Sequence, residues 1–509
     1  MLRVILLMSR PPLLTRRGLR LLQPTSLFAA AGAIVLRALP AKRALQSDRM
    51  YFKQFYLGCL AHASYLIGSG KEAAVVDPQR DIAIYVDEAR ANGFEIKYVI
   101  ETHCHADFVS GHHELAAATG AKIYFGARAA AKFDFVPVHD GDEIMLGDVT
   151  LRFIETPGHT PDSISVLIFD RQQSTATPYG VLTGDTLFIG DVGRPDLLGS
   201  RMPASELAAA LYDSLHQKLL KLPGETRVFP AHGAGSMCGR NISNETSSTI
   251  GDQRQFNYAV QPMSREAFIT MMTTDLPETP AYFSRDAQIN LEGPALIDEL
   301  PEPIGFVPEA VQKMQRGGHV ILDTRPASQY GTGHIPGSYN IGLSGQFASW
   351  AGSLIKADVP VIIVAEDFDG VREARMRLAR VGLERVSGYL QGGVLAWHDA
   401  GLPLAAIEQI AVEELRHRID EQSVDTVIDV RRPPEWNSGH IESAVHMPLN
   451  HLSESALPLN RDAKIAVLCA GGYRSSIASS VLEQLGFRHI SNVVGGMTAW
   501  NNANLKVVS

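Results

Sequence analysis

Short apolar runs alternate with amphipathic stretches from residue 50 onward, and this alternation predicts an α/β architecture. Lys97–Ile100 and Val149–Ile154 have the length of strands and end in polar or glycine-containing loops. Ile82–Asn92 and Ser205–Leu220 carry apolar residues at helical spacing. We therefore interpret the apolar runs as strands and the amphipathic stretches as helices that cover them.

The same patterning places further elements as far as residue 273. Gly147-Asp148 separates two apolar runs and predicts the turn of a β-hairpin. We predict strands at 51–55, 61–67, 73–77, 121–125, 143–146, 164–169 and 180–182, and helices at 127–132 and 264–273.

Four predicted strand ends carry potential metal ligands. His103, His105 and Asp107 form a His-x-His-x-Asp motif in a strand-to-helix loop, where catalytic residues are commonly displayed. Three later strand ends turn at glycine or proline, and each offers one donor. These donors are His159, Asp185 and His232. Imidazole and carboxylate suit zinc, iron or manganese, so four such loops in series predict a metal site.

This order of ligands resembles the metallo-β-lactamase superfamily in its glyoxalase-II-like branch, with HxHxDH followed by His, Asp and His. The resemblance implies an αββα sandwich with all ligand loops at one edge. One position departs from the pattern, because Phe108 stands where the family has the last histidine of HxHxDH. In the family that histidine serves a second metal together with the residues at Asp107 and His232. Phenylalanine cannot ligate a metal, so a single-metal site is favoured.

An internal repeat follows the first domain, with an offset of 106 residues between matching Asp-x-Arg motifs. Both copies resemble rhodanese domains and carry matching Asp-x-Arg, Gly-His-Ile and Gly-Gly-x-x-Ala-Trp motifs. The matching segments are Val320–Arg325 and Thr426–Arg431, Gly333–Ile335 and Gly439–Ile441, and Gly392–Trp397 and Gly495–Trp500. We predict an α/β architecture throughout, namely a metallo-β-lactamase sandwich followed by two rhodanese-like α/β domains.

The two copies differ at the loop that would carry chemistry. In the second copy, Cys469 opens a six-residue loop that leads into a helix, where backbone N–H groups bind anions and stabilise a thiolate. The loop resembles the rhodanese active-site loop, which implies a persulfide on Cys469, and we expect Arg474 to counter its charge. The first copy has Glu366 and Asp367 in the equivalent loop and no cysteine there, so we interpret it as catalytically inactive.

Fusion of a glyoxalase-like site to rhodanese domains resembles the persulfide dioxygenase–rhodanese fusions. The resemblance implies one Fe(II) per chain held by His103, His159 and Asp185, with zinc as the alternative metal. It implies that glutathione persulfide is oxidised by O2 to sulfite and glutathione. Cys469 would move sulfur between glutathione persulfide and a small acceptor such as sulfite or cyanide. A zinc thioester hydrolase of the glyoxalase II type and a non-enzymatic persulfide carrier remain the alternatives.

Further residues receive supporting roles from the same resemblance. His105, Asp107 and His232 are expected beside the metal, as partners of the ligands or as alternative ligands. Arg194 and Asp196 follow the Asp185 loop and are candidates for substrate binding, although a structural ion pair is the preferred interpretation. Arg240 is a candidate for binding glutathione, which carries two carboxylates.

Composition narrows the partners and the compartment. The net charge of −9 argues against nucleic acid, and four scattered cysteines fit a reducing compartment. Residues 1–49 are basic, and their apolar run is too short to span a bilayer. We expect this segment to be disordered or not translated in a cytoplasmic protein, with a transit peptide to the mitochondrial matrix and a weak export signal as alternatives. No membrane contact is expected, and the resemblance adds dimerisation as an expectation.

The predicted domain boundaries follow from these motifs. They are 1–49 for the basic extension, 50–260 for the metallo-β-lactamase-like domain, 261–304 for a connector packed on it, 305–403 for the rhodanese-like copy without a catalytic cysteine, and 406–509 for the copy with Cys469.

Overall fold

The computed structural model describes residues 49–197 and 202–509. The prediction for the basic extension falls almost entirely on residues 1–48, which lie outside the described residues. Among the helices of the described part, none has both the length and the apolar character needed to cross a bilayer.

Two six-stranded sheets form the first domain. The first sheet has the order β1-β2-β3-β4-β5-β6, antiparallel from β1 to β3 and parallel from β3 to β6. Its elements are β1 Tyr51–Leu57, β2 His62–Ser69, β3 Glu72–Val76, α1 Ala83–Asn92, β4 Glu95–Ile100, α2 His112–Thr119, β5 Lys122–Gly126 and β6 Val136–Val138.

The second sheet has the order β12-β11-β10-β9-β8-β7. Its elements and the helices that follow are β7 Glu143–Leu146, β8 Val149–Glu155, β9 Ile164–Asp170, β10 Gly180–Gly184, α3 Ala204–Gln217, β11 Arg227–Pro230, β12 Ser248–Thr249, α4 Ile250–Phe256 and α5 Arg265–Thr273. Gly147, with a φ of +54°, makes the turn between β7 and β8, which confirms the predicted hairpin.

Apolar side chains divide this domain into layers. Ile67 and Val76 of the first sheet pack against Leu151 and Val166 of the second sheet in one core cluster. α1 and α2 cover the outer face of the first sheet, and α3 and α5 cover the outer face of the second. The arrangement is the αββα sandwich that the sequence predicts.

The predicted helix at 127–132 is wrong. The segment forms a turn in which the Ala129 N–H donates to the Gly126 carbonyl over 2.9 Å. The Lys132 N–H then donates to the carbonyl of Leu291 over 2.7 Å. This contact with a distant segment overrides the helical propensity of the alanines.

A helix absent from the sequence prediction, α6 Phe283–Glu292, lies in the connector. Its Asn290 side chain donates to the carbonyls of His105 at 2.8 Å and Phe108 at 2.7 Å, and accepts from the Ser110 N–H at 2.9 Å. One buried amide therefore fastens the loop that carries the His-x-His-x-Asp motif.

The two repeat copies share one topology, each with a five-stranded parallel sheet. The first has the order β13-β17-β16-β14-β15, and the second has the order β18-β22-β21-β19-β20. The first copy contains β13 Ile304–Phe306, α7 Pro308–Arg316, β14 Val320–Asp323, α8 Ala327–Thr332, β15 Tyr339–Asn340, α9 Phe347–Leu354, β16 Val361–Val364, α10 Phe368–Ala379, β17 Val386–Leu390 and α11 Gly393–Asp399. The second contains β18 Glu408–Ile410, α12 Val412–Asp420, β19 Thr426–Asp429, α13 Pro433–Asn437, β20 Ala444–His446, α14 Leu452–Ser455, β21 Lys464–Leu468, α15 Tyr473–Gln484, β22 His489–Val493 and α16 Gly496–Asn502.

The repeated Asp-x-Arg motif has a structural role. In the second copy, Arg431 Nε and Nη2 donate to the Asp429 carboxylate at 3.0 and 2.6 Å, and Nη2 also donates to the Gly439 carbonyl at 2.8 Å. In the first copy, Arg325 bonds the Asp323 carboxylate and the Gly333 carbonyl in the same way. The motif therefore ties the end of a strand to the Gly-His-Ile turn in both copies.

Polar contacts join these parts. Arg80 Nη2 lies 2.8 Å from Glu384 Oε1, and Arg380 donates two hydrogen bonds to the Asp81 carboxylate at 2.9 and 2.8 Å. These two pairs link the first domain to the first copy. The copies meet where Ser476 Oγ of α15 donates to Asn340 Oδ1 of β15 at 2.6 Å.

Candidate metal centre

Three buried side chains converge at one edge of the sandwich. His103 follows β4, His159 lies between β8 and β9, and Asp185 follows β10. Asp185 Oδ2 lies 3.8 Å from His103 Nε2 and 3.5 Å from His159 Nε2. One potential ligand atom from each of the three lies within 4.8 Å of the others. The structure thus brings together the three residues expected to hold iron.

The hydrogen bonds of the two histidines leave their Nε2 atoms available as ligands. His159 Nδ1 lies 2.8 Å from the Arg194 carbonyl, which can only accept, so Nδ1 carries the proton. Thr102 Oγ1 donates to Asp77 at 2.9 Å and therefore accepts from His103 Nδ1 at 3.0 Å. Burial lowers the pKa of both imidazoles, which favours the neutral form that binds metals.

The donor set fits a divalent metal ion. Among residues 49–197 and 202–509, His103 Nε2 and Asp185 Oδ2 have no hydrogen-bond partner although both atoms are buried. Buried polar atoms are costly without a partner, and a metal ion at this point would satisfy them. Two imidazoles and one carboxylate with open positions match the ligands of non-haem iron enzymes.

His232 supports the carboxylate ligand. Its Nδ1 donates to Asp185 Oδ1 at 2.7 Å, and its Nε2 lies 2.8 Å from Asp107 Oδ2. Burial opposes the charge on His232, but Asp107 and Asp185 outweigh it and raise its pKa to about 10. Burial also opposes the charge on Asp185, yet the positive charge and hydrogen bond of His232 hold the pKa of this carboxyl well below its usual range.

His105 points into a separate buried cluster. Its Nε2 lies 3.2 Å from Asp77 Oδ1 and 3.3 Å from Glu101 Oε2, while its ring centroid is 4.1 Å from that of His103. Asp77 and Glu101 do not appear among the sequence-predicted site residues. Asp77 ends a strand, as the predicted ligands do, so the same pattern offered a signal for it.

Phe108 and Cys238 occupy the region beside Asp107. The Phe108 ring is fully buried, with its centroid 4.2 Å from that of His62 and 4.5 Å from that of His105. Cys238 offers a thiol within 4.8 Å of donor atoms of Asp107 and His232. Burial, and then the negative charge of Asp107, raise the pKa of the Cys238 thiol well above its usual range. Nothing in the sequence selects this cysteine, because it reaches the site through a loop.

Comparison with known families and proteins follows the same division of the chain. Residues 57–232 match the metallo-beta-lactamase superfamily, and residues 307–400 and 411–503 each match the rhodanese-like domain. Persulfide dioxygenase ETHE1, mitochondrial, from Bos taurus is 30% identical over 217 residues, which cover 41% of this chain and 75% of that protein. The chain belongs to the metallo-β-lactamase superfamily.

Two further relatives of this metallo-β-lactamase protein are a second persulfide dioxygenase and a solved metallo-beta-lactamase structure. The human persulfide dioxygenase ETHE1 is 29% identical over 213 residues, covering 41% of this chain and 75% of that protein. A solved metallo-beta-lactamase from Staphylococcus aureus is 33% identical with a TM-score of 0.60, covering 67% of this chain and 99% of that chain. The tandem rhodanese-like domains and the relatives' names place the protein in sulfur metabolism.

The arginines proposed for substrate binding in the metallo-β-lactamase domain are engaged within the protein. Arg194 is fully buried and donates to Asp196 Oδ1 at 3.0 Å and Oδ2 at 2.7 Å, as the preferred interpretation predicts. Its carbonyl also orients His159. Arg240 donates to the carbonyls of Met272 at 3.3 Å and Thr274 at 2.7 Å. These contacts give all three charged side chains structural partners.

The cysteine loop of the second rhodanese-like domain is shorter than predicted, because α15 already begins at Tyr473. The Gly472 N–H donates to Cys469 Sγ at 3.1 Å, and Ser475 Oγ lies 3.6 Å from the same sulfur. A Cβ atom on Gly496 would lie 2.1 Å from the Cys469 carbonyl, so this glycine allows α16 to approach the loop.

Arg474, which we expect to counter the charge of the Cys469 sulfur, also pairs with a carboxylate. It lies in the first turn of α15, and its two terminal nitrogens donate to the Glu435 carboxylate at 2.7 and 2.6 Å. Its charge is therefore shared with a carboxylate, whereas the Gly472 N–H contacts the sulfur directly. In the first rhodanese-like domain, Asp367 instead accepts from the Gly370 N–H at 2.8 Å and caps α10.

Proposed function

We propose that the protein oxidises the terminal sulfur of glutathione persulfide with O2 and also transfers sulfane sulfur through Cys469. The observation that carries the first activity is the convergence of His103, His159 and Asp185, where the buried His103 Nε2 and Asp185 Oδ2 lack hydrogen-bond partners in the described part of the chain. The balanced reaction converts the persulfide, O2 and water into glutathione, sulfite and two protons. The names of the ETHE1 relatives support this substrate class.

Iron(II) bound by these three residues would supply the redox chemistry by which O2 oxidises the persulfide sulfur. The chain's own contribution is positioning. His159 is oriented by the Arg194 carbonyl, and Asp185 is held by the hydrogen bond from His232. Asp107 is paired with His232 in turn and lies on the substrate side of the site. Partners of this kind fix the orientation and basicity of metal ligands.

Sulfur transfer would use the second rhodanese-like domain alone. The Cys469 thiolate attacks the sulfane sulfur of a persulfide, forms a cysteine persulfide and releases the carrier thiol. An acceptor such as sulfite then attacks the outer sulfur and leaves with it as thiosulfate, which restores the thiolate. The Gly472 N–H at 3.1 Å from Sγ stabilises the negative charge in both states.

A zinc thioester hydrolase is the second candidate, because Asp107, His232 and Cys238 could hold a second metal ion. A hydroxyacylglutathione hydrolase from Hahella chejuensis is 34% identical over 161 residues, which cover 57% of that protein. The hydrogen bond from His232 to Asp185 and the phenylalanine at position 108 favour one metal over two.

Metal analysis combined with oxygen uptake tests the proposal. We expect one iron per chain, O2 consumption with glutathione persulfide, and loss of both in His159→Ala. Cys469→Ser should retain O2 consumption and lose thiosulfate formation. Two zinc ions per chain with hydrolysis of S-lactoylglutathione would establish the hydrolase instead. The third possibility is a persulfide carrier without dioxygenase activity. It would be supported if the iron-loaded wild type took up no O2 while His159→Ala still transferred sulfur.

A further inference from the structure

A cavity lies where the metallo-β-lactamase domain, the connector and both rhodanese-like domains meet. Its lining includes Asp107 from the ligand loop, Tyr282 from the connector and Trp350 from α9. Arg432, at the start of α13, comes from the second rhodanese-like domain. The metallo-β-lactamase domain, the connector and both rhodanese-like domains therefore all contribute to this cavity.

The inner end of the cavity is next to the metal ligands. The Asp107 side chain is only 6% exposed, and its Oδ2 lies 2.8 Å from His232 Nε2. Its Oδ1 has no hydrogen-bond partner among residues 49–197 and 202–509. Because His232 also bonds Asp185, a ligand bound at this end would be one histidine away from the proposed iron ligand.

The cavity lining also includes a cation, Arg432, whose guanidinium has no direct ion pair among the described residues. In the described part of the chain, the Arg432 guanidinium makes no hydrogen bond or ion pair, and only its backbone N–H bonds Glu435, at 3.1 Å. That carboxylate is already engaged by both terminal nitrogens of Arg474. Burial and then the charge of Arg474 lower the pKa of Arg432, and the Glu435 carboxylate offsets only part of this effect.

The remaining lining is neutral and polar or aromatic. Hydroxyl and amide side chains also line the cavity and can pair with peptide groups. These side chains are Ser236, Gln346, Ser349 and Asn450. Gln346, Ser349 and Trp350 come from the rhodanese-like domain that has no cysteine in its loop. The domain without a loop cysteine therefore contributes part of the wall of this cavity.

We propose that this cavity binds the carrier part of the persulfide substrate, a small peptide-like thiol whose carboxylate pairs with Arg432 while its sulfur lies at the Asp107 end. A guanidinium matches a carboxylate with two parallel hydrogen bonds. The proposal rests on the proposed function for the identity of the substrate. It assigns Arg432, which lies in the second rhodanese-like domain, to substrate binding by the metal centre.

Calorimetric binding of glutathione to the full-length protein tests the cavity without any need for turnover. We expect Arg432→Gln to raise the Kd of glutathione about tenfold, and Arg432→Lys to give a smaller rise because the second hydrogen bond is lost. Gln346→Ala, elsewhere in the cavity lining, should raise the Kd about threefold. Arg416→Gln is the matched control, since Arg416 pairs with Asp420 on the exposed face of α12, and its Kd should equal that of the wild type.

Kinetics with two persulfides test the carboxylate. For Arg432→Gln, the kcat/KM of oxygen uptake with glutathione persulfide should fall about tenfold relative to that with cysteamine persulfide, which has no carboxylate. A Kd of glutathione within twofold of the wild type in Arg432→Gln, or no binding to the wild type, would overturn the proposal. So would Arg432-dependent binding of coenzyme A without glutathione binding, because the anion would then be a phosphate. An Arg432-dependent Kd without oxygen uptake would support the cavity and refute the proposed oxidation.

Discussion

Replacing His232 with alanine should weaken metal binding without abolishing it. The imidazole makes two short contacts, 2.7 Å to Asp185 and 2.8 Å to Asp107, and is fully buried. Loss of a partner of this kind typically costs about 10- to 100-fold in metal affinity, or roughly 1.4–2.7 kcal/mol. The short, charge-assisted bond to Asp185 supports the upper half of that range.

Competition with a chromophoric chelator would measure the affinities for Fe(II) and Zn(II). His159→Ala removes a proposed ligand and should lose more affinity than His232→Ala. His139→Ala is a matched control, because His139 is 65% exposed in the same domain and should leave the affinity unchanged. A change of less than threefold in His232→Ala would refute the supporting role. A loss as large as that in His159→Ala would instead make His232 a ligand.

Three other substitutions test separate parts of the structure. Cys469→Ser should abolish transfer of sulfur to sulfite, measured as thiosulfate, while urea midpoints stay within error because the side chains have nearly the same shape. Burial raises the pKa of Asp286 well above its usual range, so the native state binds the extra proton and stability should fall by about 1.4 kcal/mol per pH unit as pH rises above about 4. Asp286→Asn should make urea unfolding less dependent on pH above about pH 4 than in the wild type, and an unchanged slope would contradict the assignment. Glu384→Gln removes the negative charge beside Arg80, which is 1% exposed, and should cost about 2–3 kcal/mol. Replacing both Arg80 and Glu384 with methionine should recover most of this lost stability. If it does not, the loss comes from changed packing rather than from the buried charge.

The ligand loops were predictable because each one ends an apolar run, and strand ends of one sandwich meet at one edge. His103, His159 and Asp185 follow this rule, and so their convergence could be expected from spacing alone. The repeat was equally clear, since the Asp-x-Arg and Gly-His-Ile motifs bond each other in both copies. At these positions the contacts form between residues close together in the sequence or at strand ends, so the sequence pattern alone predicts them.

The parts that sequence did not reveal depend on contacts between distant segments. Asn290 bonds the carbonyls of His105 and Phe108 from more than 180 residues away, and no local pattern announces it. Glu435, which lies on a different helix from Arg474, forms an ion pair with it. His105 turns toward Asp77 and Glu101 because two buried carboxylates lie there, which only the folded chain brings together.

The hydrogen bonds of Asn290 have a practical consequence for anyone who divides this chain into fragments. The hydrogen bonds that anchor the His-x-His-x-Asp loop come from α6. This helix lies beyond residue 260, where the repeating strand–helix pattern of the sandwich ends. A fragment that stops there would keep every proposed ligand but leave the loop between residues 105 and 110 without its three anchoring bonds. A fragment that extends past residue 292 would keep these bonds. The unit that holds the metal ligands in place therefore includes α6 as well as the two sheets.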